Sequence, residues 1–156
     1  MENMRATSEE DLKELIKGVR FVNTKARHLK KSADMLAEKF DGVVPSTYKE
    51  VISLPGIGPQ MTTLYLQINT GEIVGITVDS VVHRVATRLE WADAKTFEGT
   101  RATLEKFIPE PMWHRVYFDL LTFGEKVCYP VKPACYDCKI SKYCPFPTKT
   151  KKPVDK

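Results

Sequence analysis

Apolar residues recur three and four positions apart along most of this chain, the period of an amphipathic helix. Leu12, Leu15, Ile16 and Val19 form a first such stripe. Ser8, with Asp11 three residues on, resembles a capping box at its start, and Gly18 is expected to end it. Thr24 is placed to cap a second helix, with Ala26, Leu29, Ala33, Leu36, Ala37 and Phe40 on its apolar side and Asp41-Gly42 as its stop. A short helix is expected over 47–53, followed by Leu54-Pro55-Gly56-Ile57-Gly58, which cannot be helical. Pro59 suits the first position of a new helix that runs to Asn69 and ends before Gly71. Val78-Asp79-Ser80 opens another, with Val81, Val82, Val85, Ala86 and Leu89 turned inward. Two further helices fit 96–107 and 111–124, and 73–78 is the only candidate strand. The class is all-α without internal repeats. The last stretch, PFPTKTKKPVDK, has the composition of a disordered tail.

The 156 residues suffice for one domain or two small lobes, and 42% hydrophobic with 28% charged residues is a globular composition. No apolar run approaches the ~20 residues of a membrane-crossing helix. The polar N-terminus resembles neither a signal peptide nor a presequence, so an intracellular protein is expected. The net charge of +4 is unevenly spread: Lys13 to Lys39 holds eight Lys/Arg against three Asp/Glu, and Lys139 to Lys156 six Lys against one Asp. Two basic stretches on a nearly neutral chain suggest a polyanion partner; a solvated helix face and a frayed tail are the plain alternative.

Three motifs carry chemistry. Gly56 and Gly58, between two helices, let backbone amides approach a phosphate closely, and the frame helix-L-P-G-I-G-P-helix reads as a helix-hairpin-helix clamp on a DNA backbone through Leu54, Gly56, Ile57 and Gly58. Asp79 is either a plain N-cap or a carboxylate able to stabilise a sugar cation or activate water. His83 reads as a structural hydrogen-bonder, and Arg84 with Arg88 as either a phosphate-binding pair or surface ion-pair partners. The four cysteines, Cys128, Cys135, Cys138 and Cys144, are spaced C-x6-C-x2-C-x5-C. One tetrathiolate metal site is expected, against a competing reading of two disulfides. Only Cys135 and Cys138 form the tight knuckle that structural zinc favours; the wider gaps favour a [4Fe-4S] cluster over zinc without removing it.

In this order the motifs resemble the endonuclease III group of helix-hairpin-helix DNA glycosylases, in its eukaryote-like branch. The resemblance covers about Leu12 to Pro147, with supporting pieces at Asn23-Thr24-Lys25-Ala26, Gly75 to Asp79, Ala86 to Leu89 before Trp91, and Phe123-Gly124. It implies a two-lobed all-α fold with damaged double-stranded DNA between the lobes and a flipped base, most often an oxidised pyrimidine, in a pocket. It also implies a [4Fe-4S] cluster on the four cysteines and a catalytic role for Asp79. The expected organisation is a six-helix lobe over 1–90 with the hairpin at about 47–70, a cluster lobe over 91–147, and a basic tail over 148–156. If the source is eukaryotic, the nucleus or mitochondrion is the expected compartment.

Two departures from that family qualify the reading. Its bifunctional members carry a lysine where this chain has Gln60. That lysine attacks C1′ of the sugar as a neutral amine, and an amide nitrogen, with its lone pair delocalised, cannot. No lysine lies between Lys49 and Lys95 to replace it, so AP-lyase cleavage by β-elimination is expected to be lost or very weak. Monofunctional hydrolysis or noncatalytic lesion binding then comes into view; a small electron carrier is a third, poorer fit. The family also has helices before the point matching Leu12. The lobe is therefore expected to be incomplete, with apolar faces left wet at ~25 cal/mol per Å² or covered by a partner chain.

Overall fold

The computed structural model describes residues 2–146, and the expected tail over 148–156 lies outside them. Described helices are α1 (Glu2–Ala6), α2 (Glu9–Leu15), α3 (Val22–Lys39), α4 (Tyr48–Val51), α5 (Pro59–Asn69), α6 (Ser80–Arg88), α7 (Phe97–Phe107) and α8 (Trp113–Lys126), with a 3-10 turn at Glu110–Met112 before α8. There is no strand among the described residues, and the candidate at 73–78 is irregular chain with a bend at Gly75 and no ladder partner. The all-α expectation holds. Two compact units are present, Met1–Glu72 and Ile73–Lys156.

Local chemistry sets most helix starts. Ser8 Oγ accepts from the Asp11 amide at 3.0 Å, the first half of the box, and its hydroxyl donates to Asp11 Oδ2 at 2.7 Å. Thr47 and Thr96 cap α4 and α7 through the amides of Glu50 and Gly99. Thr24 is not the cap of α3: Phe21 precedes the helix in a left-handed conformation (φ 60°) with no side-chain cap bond, and Thr24 lies in the first turn. The first stripe also ends early. α2 stops at Leu15, which is 77% exposed, because the chain turns at Ile16 to Val19.

In the first unit, Leu12, Ala26, Ala33, Leu36, Val51, Leu54 and Leu66 are buried. α1 is tied to α3 by an Arg5–Asp34 ion pair at 3.2 Å and by Lys30, which donates to the carbonyls of Arg5 and Thr7. The core is open on one side, where Ile16, Val19, Leu29, Val44 and Met61 line an apolar groove. In the second unit, Ile76, Val78, Val82, Val85, Leu104, Val116 and Leu120 are buried. Its main packing is α6 on α8. A Cβ at Gly124 would overlap the Val81 and Val85 side chains, so glycine sets how close the two helices come.

Candidate nucleic-acid and metal-loop sites

The first unit carries the hairpin. α4 and α5 are joined by a loop in which Leu54 is buried and anchors the turn, while Ile57 is half-exposed and donates its amide to Leu54 O at 3.1 Å. Gly56 has φ +82°, a conformation that other residues enter only with strain. A Cβ there would also strike the ring of His28 on α3. Ser32, one turn further along α3, donates to Pro55 O at 3.1 Å. α3 thus seats the hairpin from behind and leaves Gly56 exposed at its tip. Gly58 precedes α5 in extended conformation, Pro59 is the first helical residue, and no side chain caps the helix start. Amides at such a start present partial positive charge to whatever lies in front of them. Gln60, the second residue of α5, is exposed.

Asp79 and α6 belong to the second unit. Asp79 Oδ1 accepts from the amides of Val81 (2.9 Å) and Val82 (2.8 Å), which fixes the carboxylate at the head of α6. The capping role is therefore real; among the described residues no hydrogen bond is made to Oδ2, and the side chain is half-buried. The Tyr117 hydroxyl on α8 feels this group: burial raises its pKa above the ordinary 10.0, and the charges of Asp79 and Glu125 raise it further. His83 holds α6 to α7. His83 Nδ1 lies 2.7 Å from Thr100 Oγ1, a hydrogen bond that either atom can donate according to the ring tautomer, and Thr100 Oγ1 is also 3.1 Å from Thr96 O. The His83 ring also rests on Phe97, with 5.4 Å between centroids.

Both arginines of α6 face inward, along the protein. Arg84 Nη2 donates to Gly124 O at 3.0 Å and Cys128 O at 3.3 Å, and its Nε is buried with no partner. This guanidinium sits over the C-terminal end of α8, where a cation is favoured. Arg88 reaches the cysteine loop, donating to Tyr129 O (2.6 Å) and Pro130 O (2.9 Å) and lying 3.3 Å from Cys128 Sγ. Its guanidinium also stands over the Phe146 ring at 4.6 Å. Within the protein the partners of this pair are carbonyls and a sulfur of the C-terminal loop, and no carboxylate pairs with either among the described residues.

That loop is a run of tight turns, including Cys135 N to Pro133 O at 2.8 Å, Cys138 N to Cys135 O at 3.4 Å and Ser141 N to Cys138 O at 3.0 Å. They bring Cys128, Cys135, Cys138 and Cys144 to the lining of one cavity, floored by Leu89 and Phe123. The four thiols are half-buried and unpaired with one another. The expected site residues therefore fall into groups. Leu54, Gly56, Ile57, Gly58 and Gln60 share the hairpin of the first unit; Asp79, Arg84 and the cysteines share the second. Sequence reasoning missed Arg88 as the clasp of the loop, Tyr117 beside Asp79, and His28 with Ser32 behind the hairpin. A signal existed only for Arg88, which shares a helix face with Arg84.

The chain is 37% identical over 147 residues to endonuclease III-like protein 1 of Mus musculus, covering 93% of this chain and 49% of that protein. It is 38% identical over 153 residues to the endonuclease III homolog of Schizosaccharomyces pombe, covering 97% of this chain and 43% of that one. The chain spans about half or less of the length of these curated relatives. Among solved structures it resembles a trapped endonuclease III–DNA covalent intermediate, with a TM-score of 0.86 and 28% identity over 92% of this chain and 67% of that chain. A thermostable thymine-DNA glycosylase, at 24% identity and a TM-score of 0.77, shares the fold. A match to the HhH-GPD superfamily of base excision DNA repair proteins spans residues 1–110, and this chain belongs to that family.

Proposed function

We propose that this chain acts in base excision repair as a DNA glycosylase of the endonuclease III kind, releasing damaged bases, most often oxidised pyrimidines, from double-stranded DNA. The observation that carries the reading is the Asp79 carboxylate, held through Oδ1 by two α6 amides while Oδ2 accepts no hydrogen bond among the described residues. A carboxylate fixed in this way stabilises the cationic sugar as the C1′–N bond breaks, and takes the proton of the water that adds to C1′. The uncapped start of α5 and the Gly56 turn bind the DNA backbone. Gln60 supplies no amine, so no Schiff base forms and the abasic product is left intact. Arg84 serves here as a support for the C-terminal end of α8.

The four cysteines fit a [4Fe-4S] cluster. They line one cavity and supply four thiolate donors, a set that suits a cluster or zinc, and the C-x6-C-x2-C-x5-C spacing with its single tight knuckle favours the cluster. When bound, the cluster supplies a rigid four-point staple for the loop. A partner chain over the open apolar groove of the first unit fits the same picture. The compartment is one that holds DNA, the nucleus or an organelle; no described helix is long and apolar enough to cross a membrane.

The deciding test is a thymine-glycol duplex incubated with the protein, with and without alkaline workup. Strand breaks that appear only after alkali are expected. Asp79→Asn keeps an acceptor oxygen for both amides, so folding should change by less than about 1 kcal/mol while base release is lost. Base release by Asp79→Asn at the wild-type rate would remove Asp79 from the chemistry. Gln60 also favours a second reading, a noncatalytic lesion binder; tight lesion-specific binding with no base release over hours would establish it.

A further inference from the structure

We propose that Arg101 and Glu105, one turn apart on α7, are positioning residues that hold Asp79 in register; this rests on the glycosylase reading above. The segment leading to Asp79 is unusual. Gly75, Ile76, Thr77 and Val78 are all buried and lie outside any helix, yet no strand lies beside them among the described residues. Buried backbone polar groups need partners, and here no ladder provides them. α7 does so with side chains. Arg101 Nη2 donates to Val74 O at 2.5 Å, and Ile76 N donates to Glu105 Oε1 at 2.9 Å. The two side chains are joined by an Arg101 Nε–Glu105 Oε1 pair at 2.7 Å, with only 26% and 22% of each exposed. Arginine and glutamate together thus present one donor and one acceptor to the chain, as the edge of a neighbouring strand would.

A second observation shows that the grip is specific. Gly75, between the two gripped groups, has φ +145°, and a Cβ there would overlap the Arg101 guanidinium and the Glu105 carboxylate. The backbone has to pass through the space between these side chains. Ile76 N lies three residues before Asp79, and the intervening Thr77 and Val78 are 1% and 4% exposed. Thr77 Oγ1 is buried without a partner, so within this run it adds nothing to the hold. A shift of the Ile76 peptide is therefore transmitted along packed chain to the Asp79 carboxylate.

The test compares Glu105→Ala with Glu105→Gln, whose amide oxygen still accepts from Ile76 N. Hydrogen exchange is read at Val81 and Val82, the amides bonded to Asp79, with Leu120 in α8 as reference. Glu105→Ala should speed exchange at Val81 and Val82 by about tenfold or more, leave Leu120 within about twofold, and be rescued by Glu105→Gln. In single-turnover base release the alanine variant should lose ~30- to 100-fold in rate, as expected for misplacement of a reacting group, with DNA Kd within about threefold. If Glu105→Ala does not fold, Arg101→Met takes its place, since its side chain keeps an apolar stem and carries no donor for Val74 O or Glu105. Unchanged exchange at Val81 and Val82, or an equal rise at Leu120, would overturn the proposal. A wild-type protein that releases no base refutes the glycosylase reading alone, because exchange still decides the positioning.

Discussion

Replacing Gln60 with lysine tests the chemistry at one atom. The side chain is exposed at the second position of α5, and no side-chain hydrogen bond caps that helix start. Glutamine and lysine have nearly equal helix propensity, so the remaining cost is a cation placed at a helix N-terminus, about 0.3–1 kcal/mol. That corresponds to a fall in Tm of no more than about 2–4 °C for a chain of this size. The same partial charges disfavour the ammonium form, and at ~1.4 kcal/mol per pKa unit they lower the new amine by about half a unit, raising the fraction that can attack C1′. The assay is borohydride reduction on an abasic-site duplex followed by a denaturing protein gel. Wild type should give no DNA adduct and Gln60→Lys a clear one, with strand cleavage no longer dependent on alkali. An adduct with wild type would refute the argument about the amide. So would a variant that releases base normally yet gives no adduct, since position 60 would then not face C1′. A Tm loss beyond about 5 °C would show that Gln60 supports structure that its exposure does not reveal.

Arg88→Ala removes two short bonds to loop carbonyls and the Phe146 stack. At ~1.5–3 kcal/mol per charged hydrogen bond, reduced for a half-exposed group, about 2–4 kcal/mol of loop attachment should be lost, read as rapid proteolysis within 128–146 and lower iron retention. Gly124→Ala should lower Tm by roughly 3 °C or more, because overpacking of about 1–3 kcal/mol arises where Val81 and Val85 meet α8; an unchanged Tm would mean the helices part freely. For Tyr117 the folded pKa lies above the ordinary 10.0, so the unfolded chain gives up its proton first and stability falls as pH rises through and above that value. Tyr117→Phe should flatten this alkaline decline in a pH series of urea midpoints, and an equally steep decline would contradict the assignment.

The parts of the fold set by neighbours in sequence were legible. Ser8 and Asp79 cap as read, and Pro59 opens α5, because a cap needs only an oxygen two or three residues before an orphan amide; Thr47 and Thr96, read as first residues of their helices, are the caps of α4 and α7. The start of α3 was not legible. There the chain enters through a left-handed, exposed Phe21 with Arg20 over its ring at 5.5 Å, and Thr24 falls inside the first turn rather than before it. The hairpin was readable from its two glycines, but the reason Gly56 must be glycine includes His28, far away in sequence. The direction of Arg84 and Arg88 was hidden for the same cause: their helix face was plain, while the carbonyls they meet lie about 40 residues on. The spacing of Arg101 and Glu105 marks an ordinary pair along a helix. Nothing in it tells that the pair reaches back to Val74 and Ile76.

The run from Ile73 to Val78 has one more consequence. Ile-Val-Gly-Ile-Thr-Val is rich in β-branched residues, uncharged and free of proline, the composition of segments that stack into cross-β fibrils when unpaired. Among the described residues it has no strand to pair with, and Glu105 and Arg101 on α7 occupy the Ile76 amide and Val74 carbonyl that an incoming strand would use. Removing the two charged side chains would free both backbone groups on a segment of this composition. Warming a gripless variant should therefore yield thioflavin-positive aggregates seeded by this hexapeptide, where the intact chain unfolds without them.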